Sequence, residues 1–151
     1  MTVDYFKRLF DYDFWANERV LDSMEATPAL PEEALKKISH ILAAKAVWLG
    51  RISPGVPGLS FETVLSLPES RKWDADLKKA GDDYLAKISD EQLGQKIGYK
   101  NLKGMPYENV LSDILAHLVN HGSYHRGQIA SLVNKTGGKP AGTDYIGFVR
   151  E

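Results

Sequence analysis

The sequence of 151 residues contains no cysteine. This absence excludes disulfide bonds, thiolate metal sites and a cysteine nucleophile, so any thiol chemistry needs a thiol from another molecule. The sequence also lacks an apolar run of the roughly 18 residues that a membrane-spanning helix requires, and residues 1–8 lack the apolar centre of a signal peptide. These absences predict a cytoplasmic protein that does not bind membranes.

Neither sign of charge is in excess. The formal net charge is −1 and the sequence pI is about 6.4, which gives no electrostatic reason to expect binding to nucleic acid. The hydrophobic fraction of 43% and the charged fraction of 26% are typical of a globular protein with a substantial core. We therefore predict one domain over residues 1–151.

Several catalytic motifs are missing. There is no H-E-x-x-H, and no glutamate stands three residues before a histidine, which excludes the ferritin-like di-iron site. The Gly137-Gly138-Lys139 sequence is followed by proline and lacks the upstream glycine of a phosphate-binding loop. No G-x-S-x-G motif supports a serine hydrolase.

Hydrophobic periodicity predicts four helices, over residues 3–26, 32–52, 69–88 and 108–135. Between the third and fourth helices, residues 96–99 and 105–107 flank a turn-forming segment and suggest a short hairpin, which must lean on the helices. The predicted fold is all-α, a four-helix up-down bundle with a possible short β-hairpin between helices 3 and 4. The C-terminal residues 142–151 are expected to pack over the bundle.

Three of the four histidines, His117, His121 and His125, lie in the fourth predicted helix at intervals of four. Residues i and i+4 lie one above the other on a helix, so His121 and His125 can direct their imidazoles at one point. His117 lies about 100° from the centre of the buried stripe, at its margin. His121 and His125 are therefore candidate metal ligands that need a third from another helix; the alternative is that they are packed core residues.

Other polar or small residues also lie at unexpected positions. Asp13 and Asn17 fall on the apolar stripe of the first helix, where an unpaired polar group costs a few kcal/mol. Either they bond locally or sit at an open end of the bundle, or they face a polar cavity and hold metal ligands in position. Gly122 and Gly127 each cost about 1 kcal/mol in a helix interior relative to alanine, and close packing against a neighbour would account for both.

Three segments carry a family resemblance: D-Y-D-F-W-A-N-E-R-V-L at 11–21, I-S-H-I-L-A-A-K-A-V-W-L at 38–49, and H-L-V-N-H-G-S-Y-H-R-G-Q-I at 117–129. In these, and in the closing T-D-Y-I-G-F-V-R-E at 143–151, the sequence resembles the DinB/YfiT-like superfamily of DNA-damage-inducible metalloproteins. The resemblance covers nearly the whole chain, and the segment at 117–129 is its most specific part.

The resemblance implies a four-helix bundle, commonly a homodimer, that binds a divalent metal ion through three histidines. Carried over by position, these are His40, His121 and His125. Three imidazoles without a carboxylate leave a coordination position open and the full +2 charge on the ion. Such a site suits Zn or Ni first, with Fe, Cu, Co and Mn as alternatives.

Two functions of different class follow. Some members of the superfamily are metal-dependent transferases or isomerases that use low-molecular-weight thiols, which implies a thiol S-transferase acting on a small electrophile. The candidate substrate-contacting or ligand-positioning residues are then Asp13, Asn17, Tyr124 and Arg126. Asn17 and Arg126 can equally tie the first helix to the fourth, which is the favoured interpretation. The second function is that of a non-catalytic, stress-induced metal-binding protein.

Overall fold

Four long helices make up most of the protein, whose residues 1–151 are all described by a computed structural model. The helices are α1 (Val3–Glu25), α2 (Glu32–Ile52), α3 (Leu67–Leu85) and α4 (Leu111–Lys135), and a one-turn helix α5 (Tyr145–Phe148) lies near the C-terminus. The predicted four-helix bundle is confirmed. No helix in the protein combines the length and the apolarity needed to cross a membrane.

Local sequence explains where the helices begin. The Thr2 hydroxyl accepts a hydrogen bond from the backbone N–H of Tyr5 at 3.2 Å and caps α1. Ser66 and Glu69 form a reciprocal capping box at the start of α3, with Pro68 in the first turn. Each cap satisfies backbone donors that the first turn of a helix leaves unpaired.

The predicted hairpin between α3 and α4 is also confirmed. Strands β1 (Lys96–Lys100) and β2 (Pro106–Val110) pair antiparallel, with Tyr99 opposite Tyr107. The hairpin packs against α2. The ring of Tyr99 in β1 lies 5.0 Å from that of Trp48 in α2, and the guanidinium of Arg51, also in α2, packs over both rings. The predicted start of α4 near residue 108 was wrong, because residues 108–110 belong to β2 and the helix begins at Leu111.

The order of the helices around the bundle positions the candidate site. Helix α1 packs against α3 and α4, and α2 packs against the same two helices. Consecutive helices α1 and α2 therefore lie on opposite corners instead of side by side. As a result α2, which carries His40, is a direct neighbour of α4, which carries the other three histidines.

A single hydrophobic core fills the bundle, and its fully buried members come from every long helix: Phe6, Leu21, Leu42, Leu49, Leu77, Leu85, Leu111 and Leu115 are examples. The C-terminal segment packs over the bundle, as its position in the sequence predicted. Tyr145 and Phe148 contact Tyr12 of α1, and the Trp15 indole N–H donates to Glu151 at 2.9 Å.

Candidate metal centre

Three histidines from two helices converge at one point of the bundle. His40 comes from α2, and His121 and His125 come from successive turns of α4. Their ligand atoms all lie within 4.8 Å of one another, and His40 Nε2 is 3.1 Å from His121 Nε2. A group of three imidazole nitrogens at this spacing could hold a metal ion, as the pairing of His121 with His125 and the resemblance at His40 predicted.

Partial burial keeps two of these imidazoles, those of His40 and His121, in the form that binds metal. Burial, followed by the proximity of His125 and His40, lowers the pKa of His121 to about 4. The pKa of His40 is also lowered, chiefly by burial and then by His125 and Lys37. At neutral pH both rings are therefore neutral and carry a lone pair, which is the state that a metal requires of a histidine ligand.

One candidate ligand, His125, is oriented by a neighbour that the sequence analysis did not single out. His125 Nδ1 donates a hydrogen bond to Gln128 Oε1 at 2.7 Å. This bond fixes the tautomer, so the lone pair of His125 is on Nε2. In most metalloproteins, the ring nitrogen of a histidine ligand that does not bind the metal makes such a hydrogen bond, which orients the ring. The spacing of three residues on one helix is the signal that could have identified Gln128.

A cavity of about 420 Å³ opens onto His40 and His125. One wall is the first part of α2, and the other is the loop segment 61–64, whose Phe61 ring packs 5.4 Å from the ring of His40. Candidate residue Tyr124 does not line this cavity. Its side chain is 68% exposed, and its ring lies 5.0 Å from that of His125.

His117 lies outside the group of three. Its ring packs edge-on against Trp48 at 5.2 Å and is 5.6 Å from the ring of His121. It lines a separate cavity of about 270 Å³ with Trp48 and Tyr99. Helical geometry predicted that His117 lies at the margin of the buried stripe of α4. In the structure its ring accordingly lies next to the three histidines and not among them.

The other candidates, Asp13, Asn17 and Arg126, belong to a buried ionic network. Asp13 accepts from Arg126 Nη1 and from Lys45 Nζ, both at 2.6 Å. Asn17 accepts from Arg126 Nη1 at 2.8 Å and donates to Asp74 at 3.0 Å. All five side chains are buried, and the network joins all four long helices.

The network shows how Asp13 and Asn17 are accommodated on the apolar stripe of α1. Their partners come from the other three long helices, so they neither bond locally nor lie at an open end of the bundle. Neither side chain hydrogen-bonds a histidine and neither lines the large cavity. Their polar atoms are satisfied by charged partners in the centre of the bundle. The hydrogen bond from Arg126 to Asn17 ties α1 to α4, which was the favoured interpretation of those two residues.

The two carboxylates of the network have opposite pKa shifts. Burial alone would raise the pKa of Asp13, but Lys45 and Arg126 outweigh it and hold that pKa below its ordinary value. Burial raises the pKa of Asp74 to about 6, with Lys45 acting against the rise and Asp13 adding to it. One oxygen of Asp74, Oδ2, has no hydrogen-bond partner, whereas both oxygens of Asp13 are bound.

Sequence reasoning missed Lys45 and Asp74. A lysine inside the apolar segment 38–49 was a usable signal, because a buried lysine needs an anionic partner. Asp74 lies on the most buried line of α3, with Ser70, Leu77, Gly81 and Leu85. Trp73, Ala80 and Tyr84 are half-buried at the edge of this line.

The two glycines of α4 differ from each other. A Cβ at Gly122 would lie 2.6 Å from Asp13 Oδ1 and 2.9 Å from Arg126 Nη1, so this glycine makes room for the ion pair. No atom lies within 4 Å of a Cβ placed at Gly127. The prediction of close packing was therefore wrong for Gly127, which is exposed.

Comparison with known proteins agrees with this architecture. The sequence model of the DinB family matches residues 5–151. Protein DinB of Bacillus subtilis (strain 168) is 26% identical over 162 aligned positions, which cover 94% of this chain and 92% of that protein. A crystal structure of a DinB-like protein from Bacillus cereus ATCC 10987 has the same fold, with a TM-score of 0.73 at 21% identity, over 93% of this chain and 97% of that one. The chain belongs to the DinB family.

Proposed function

We propose that this DinB-family protein holds a divalent cation on His40, His121 and His125 and catalyses the transfer of a low-molecular-weight thiol to a small electrophile. One observation carries the proposal. Three imidazole nitrogens converge to within 4.8 Å beside a cavity of about 420 Å³, large enough for a small-molecule substrate.

The donor set fits such an ion. Neutral imidazoles bind Zn and Ni well and also accept Fe, Cu, Co or Mn. Three protein ligands leave at least one coordination position open, which is typical of catalytic sites and not of structural ones. The distance of 3.1 Å between the Nε2 atoms of His40 and His121 also fits, because one ring can donate to the other at this distance and a cation can take the place of the shared proton.

In the proposed reaction the thiol sulfur forms a bond to the electrophilic carbon. The leaving group departs with its bonding electron pair, and the thiol proton passes to solvent. A bound divalent cation supplies positive charge that lowers the pKa of a thiol. The chain itself contributes a fixed imidazole at His125, oriented by Gln128, and an apolar screen from Phe61 and Val64 along the cavity wall.

The decisive experiment measures metal content and thiol conjugation on untagged protein, with cysteine as thiol and 1-chloro-2,4-dinitrobenzene as electrophile. We expect near-stoichiometric metal and metal-dependent conjugation in wild type. His125→Ala should lose both, because it removes a ligand nitrogen, whereas the control His117→Ala should keep both, because His117 lies outside the group.

Other outcomes select the alternatives. Metal bound in wild type and lost in His125→Ala, without any thiol conjugation, would favour a non-catalytic, stress-induced metal-binding protein. No metal in either protein after reconstitution with Zn and Ni would leave the histidines as packed core residues. Homodimer formation and a cytoplasmic location stay predictions, which sedimentation analysis and cell fractionation can test.

A further inference from the structure

The cavity above His40 and His125 is lined by charges of both signs. Glu33, Lys36 and Lys37 contribute from α2, and Glu62 contributes from the facing loop. Residues 33, 36, 37 and 40 recur at three- and four-residue spacing, so they lie along one face of the helix. The charged face therefore leads directly to His40.

These charges differ in whether they already have partners. Lys36 pairs with Glu32 at 3.3 Å, which lies outside the cavity lining. Lys37, Glu33 and Glu62 form no ion pair with any residue of the chain within 4.0 Å. Lys37 is half-buried, and its ammonium group acts electrostatically on the neighbouring His40 ring. One cation and two anions of the cavity are thus available to a ligand.

The charged groups lie on two facing walls of the cavity. Lys37 is three residues from His40, so the two side chains lie on the same face of α2, and both line the cavity. Glu62 stands on the opposite wall, next to Phe61, whose ring packs against His40. A ligand whose sulfur lies near the histidines can therefore present a carboxylate to one wall and an ammonium to the other.

Building on the thiol reaction proposed above, we infer that the cavity selects a zwitterionic thiol, an amino-acid-like molecule that carries one carboxylate and one ammonium group. Lys37 binds the carboxylate and Glu62 binds the ammonium. Thiols that lack either group bind less tightly. The two side chains are specificity-determining residues and take no part in bond making or breaking.

The test uses the full chain loaded with cobalt(II), whose sulfur-to-cobalt absorption band reports thiol binding without turnover. Four probes are titrated anaerobically: cysteine, cysteamine, 3-mercaptopropionate and 2-mercaptoethanol. Each is measured on wild type, Lys37→Gln and Glu62→Gln, with Lys103→Gln as a control, because Lys103 lies at the exposed hairpin turn. The intrinsic affinity of each probe for cobalt cancels when one probe is compared between variants.

We expect each variant to weaken only those probes that carry the group bound by the replaced side chain. Lys37→Gln should weaken cysteine and 3-mercaptopropionate by about fivefold, the upper range for a solvent-exposed ion pair, and leave cysteamine unchanged. Glu62→Gln should weaken cysteine and cysteamine by a similar factor and leave 3-mercaptopropionate unchanged. Lys103→Gln and the binding of 2-mercaptoethanol should not respond.

The failures are distinguishable. If every thiol binds and no variant discriminates among them, selection of a zwitterion is wrong while the thiol reaction stands. If none of the four probes produces a sulfur-to-cobalt band on cobalt-loaded protein, both the zwitterion selection and the thiol reaction are overturned. Equal weakening of all four probes in Lys37→Gln would indicate a general effect on the site and would also contradict the inference.

Discussion

Two polar clusters in the same bundle differ in whether their members satisfy one another. In the ionic network, Asp13 has both oxygens bound by Arg126 and Lys45, and opposite charges meet at 2.6 Å. In the histidine cluster, the ligand atoms of three rings lie within 4.8 Å of one another, and no carboxylate of the chain is hydrogen-bonded to them. Imidazole nitrogens that converge without a charged partner are better suited to binding an added cation than to holding helices together.

The two clusters also differ in how deeply they are buried. All members of the network are at most 5% exposed, whereas the three histidines are half-buried and two of them, His40 and His125, line a cavity. Removing one partner from a buried ion pair leaves the other charge without compensation, which costs more than the pair contributes. Removing a histidine leaves no stranded charge. We therefore expect the network to contribute mainly to folding stability and the histidines mainly to the proposed binding of a metal ion.

The largest expected effect comes from breaking the network with Arg126→Met. The substitution removes the only donor to one buried oxygen of Asp13 and to the amide oxygen of Asn17, so the free energy of unfolding should fall by about 3–5 kcal/mol. Urea denaturation measures the loss, and the folded fraction should still bind zinc. The control is Arg71→Met, which removes ion pairs to three partly exposed carboxylates and should cost about 1 kcal/mol. Equal losses in the two variants would show that burial of the network adds nothing.

A somewhat smaller effect should appear with pH at Asp74. Because folding raises the pKa of this carboxyl to about 6, the folded protein holds the proton more tightly than the unfolded chain. The resulting stabilisation is complete below the ordinary pKa of 3.8 and is lost as the pH rises through the folded value. Metal-free wild type, measured relative to Asp74→Asn, should lose up to about 3 kcal/mol of unfolding free energy between pH 4 and 6.

Urea denaturation of both proteins at pH 4, 5, 6 and 7 measures this difference. Asp13 has the opposite shift, and taking the difference between the two proteins removes most of its contribution. A difference that does not change with pH, or that grows as the pH rises, would mean that Asp74 is an ordinary ionised carboxylate in the fold.

The smallest effect distinguishes the two glycines of α4. Gly122→Ala places a Cβ 2.6 Å from Asp13 Oδ1, so the ion pair must shift. Overpacking offsets the gain in helix propensity and leaves a net loss of about 1–2 kcal/mol. Gly127→Ala meets nothing within 4 Å and should gain up to about 1 kcal/mol. Thermal unfolding of both variants is the measurement; a stabilising alanine at 122 would show that the network tolerates displacement.

The predictability of these features depends on whether their cause is local. Helix periodicity identified the four helices, and the i, i+4 spacing identified His121 and His125 as a pair. Which helix lies beside α4 is a tertiary fact, so His40 joined them only through the family resemblance. The same limit explains why Lys45 was missed, because its partners are on α1 and α3. The two glycines could have been told apart from the sequence, since at ~100° per residue Gly122 lies on the buried stripe of α4 and Gly127 on the opposite face.

The order of the helices around the bundle has a consequence for how the protein folds. Since α1 and α2 do not lie side by side, they cannot form an αα-hairpin, and each waits for α3 and α4 to cover its apolar face. Non-local contacts of this kind slow folding compared with a bundle in which successive helices pack together. His40 and His121 are separated by 81 positions in the chain. The histidine cluster therefore assembles only when α4 docks against α2, so uptake of the proposed metal ion should report completed folding.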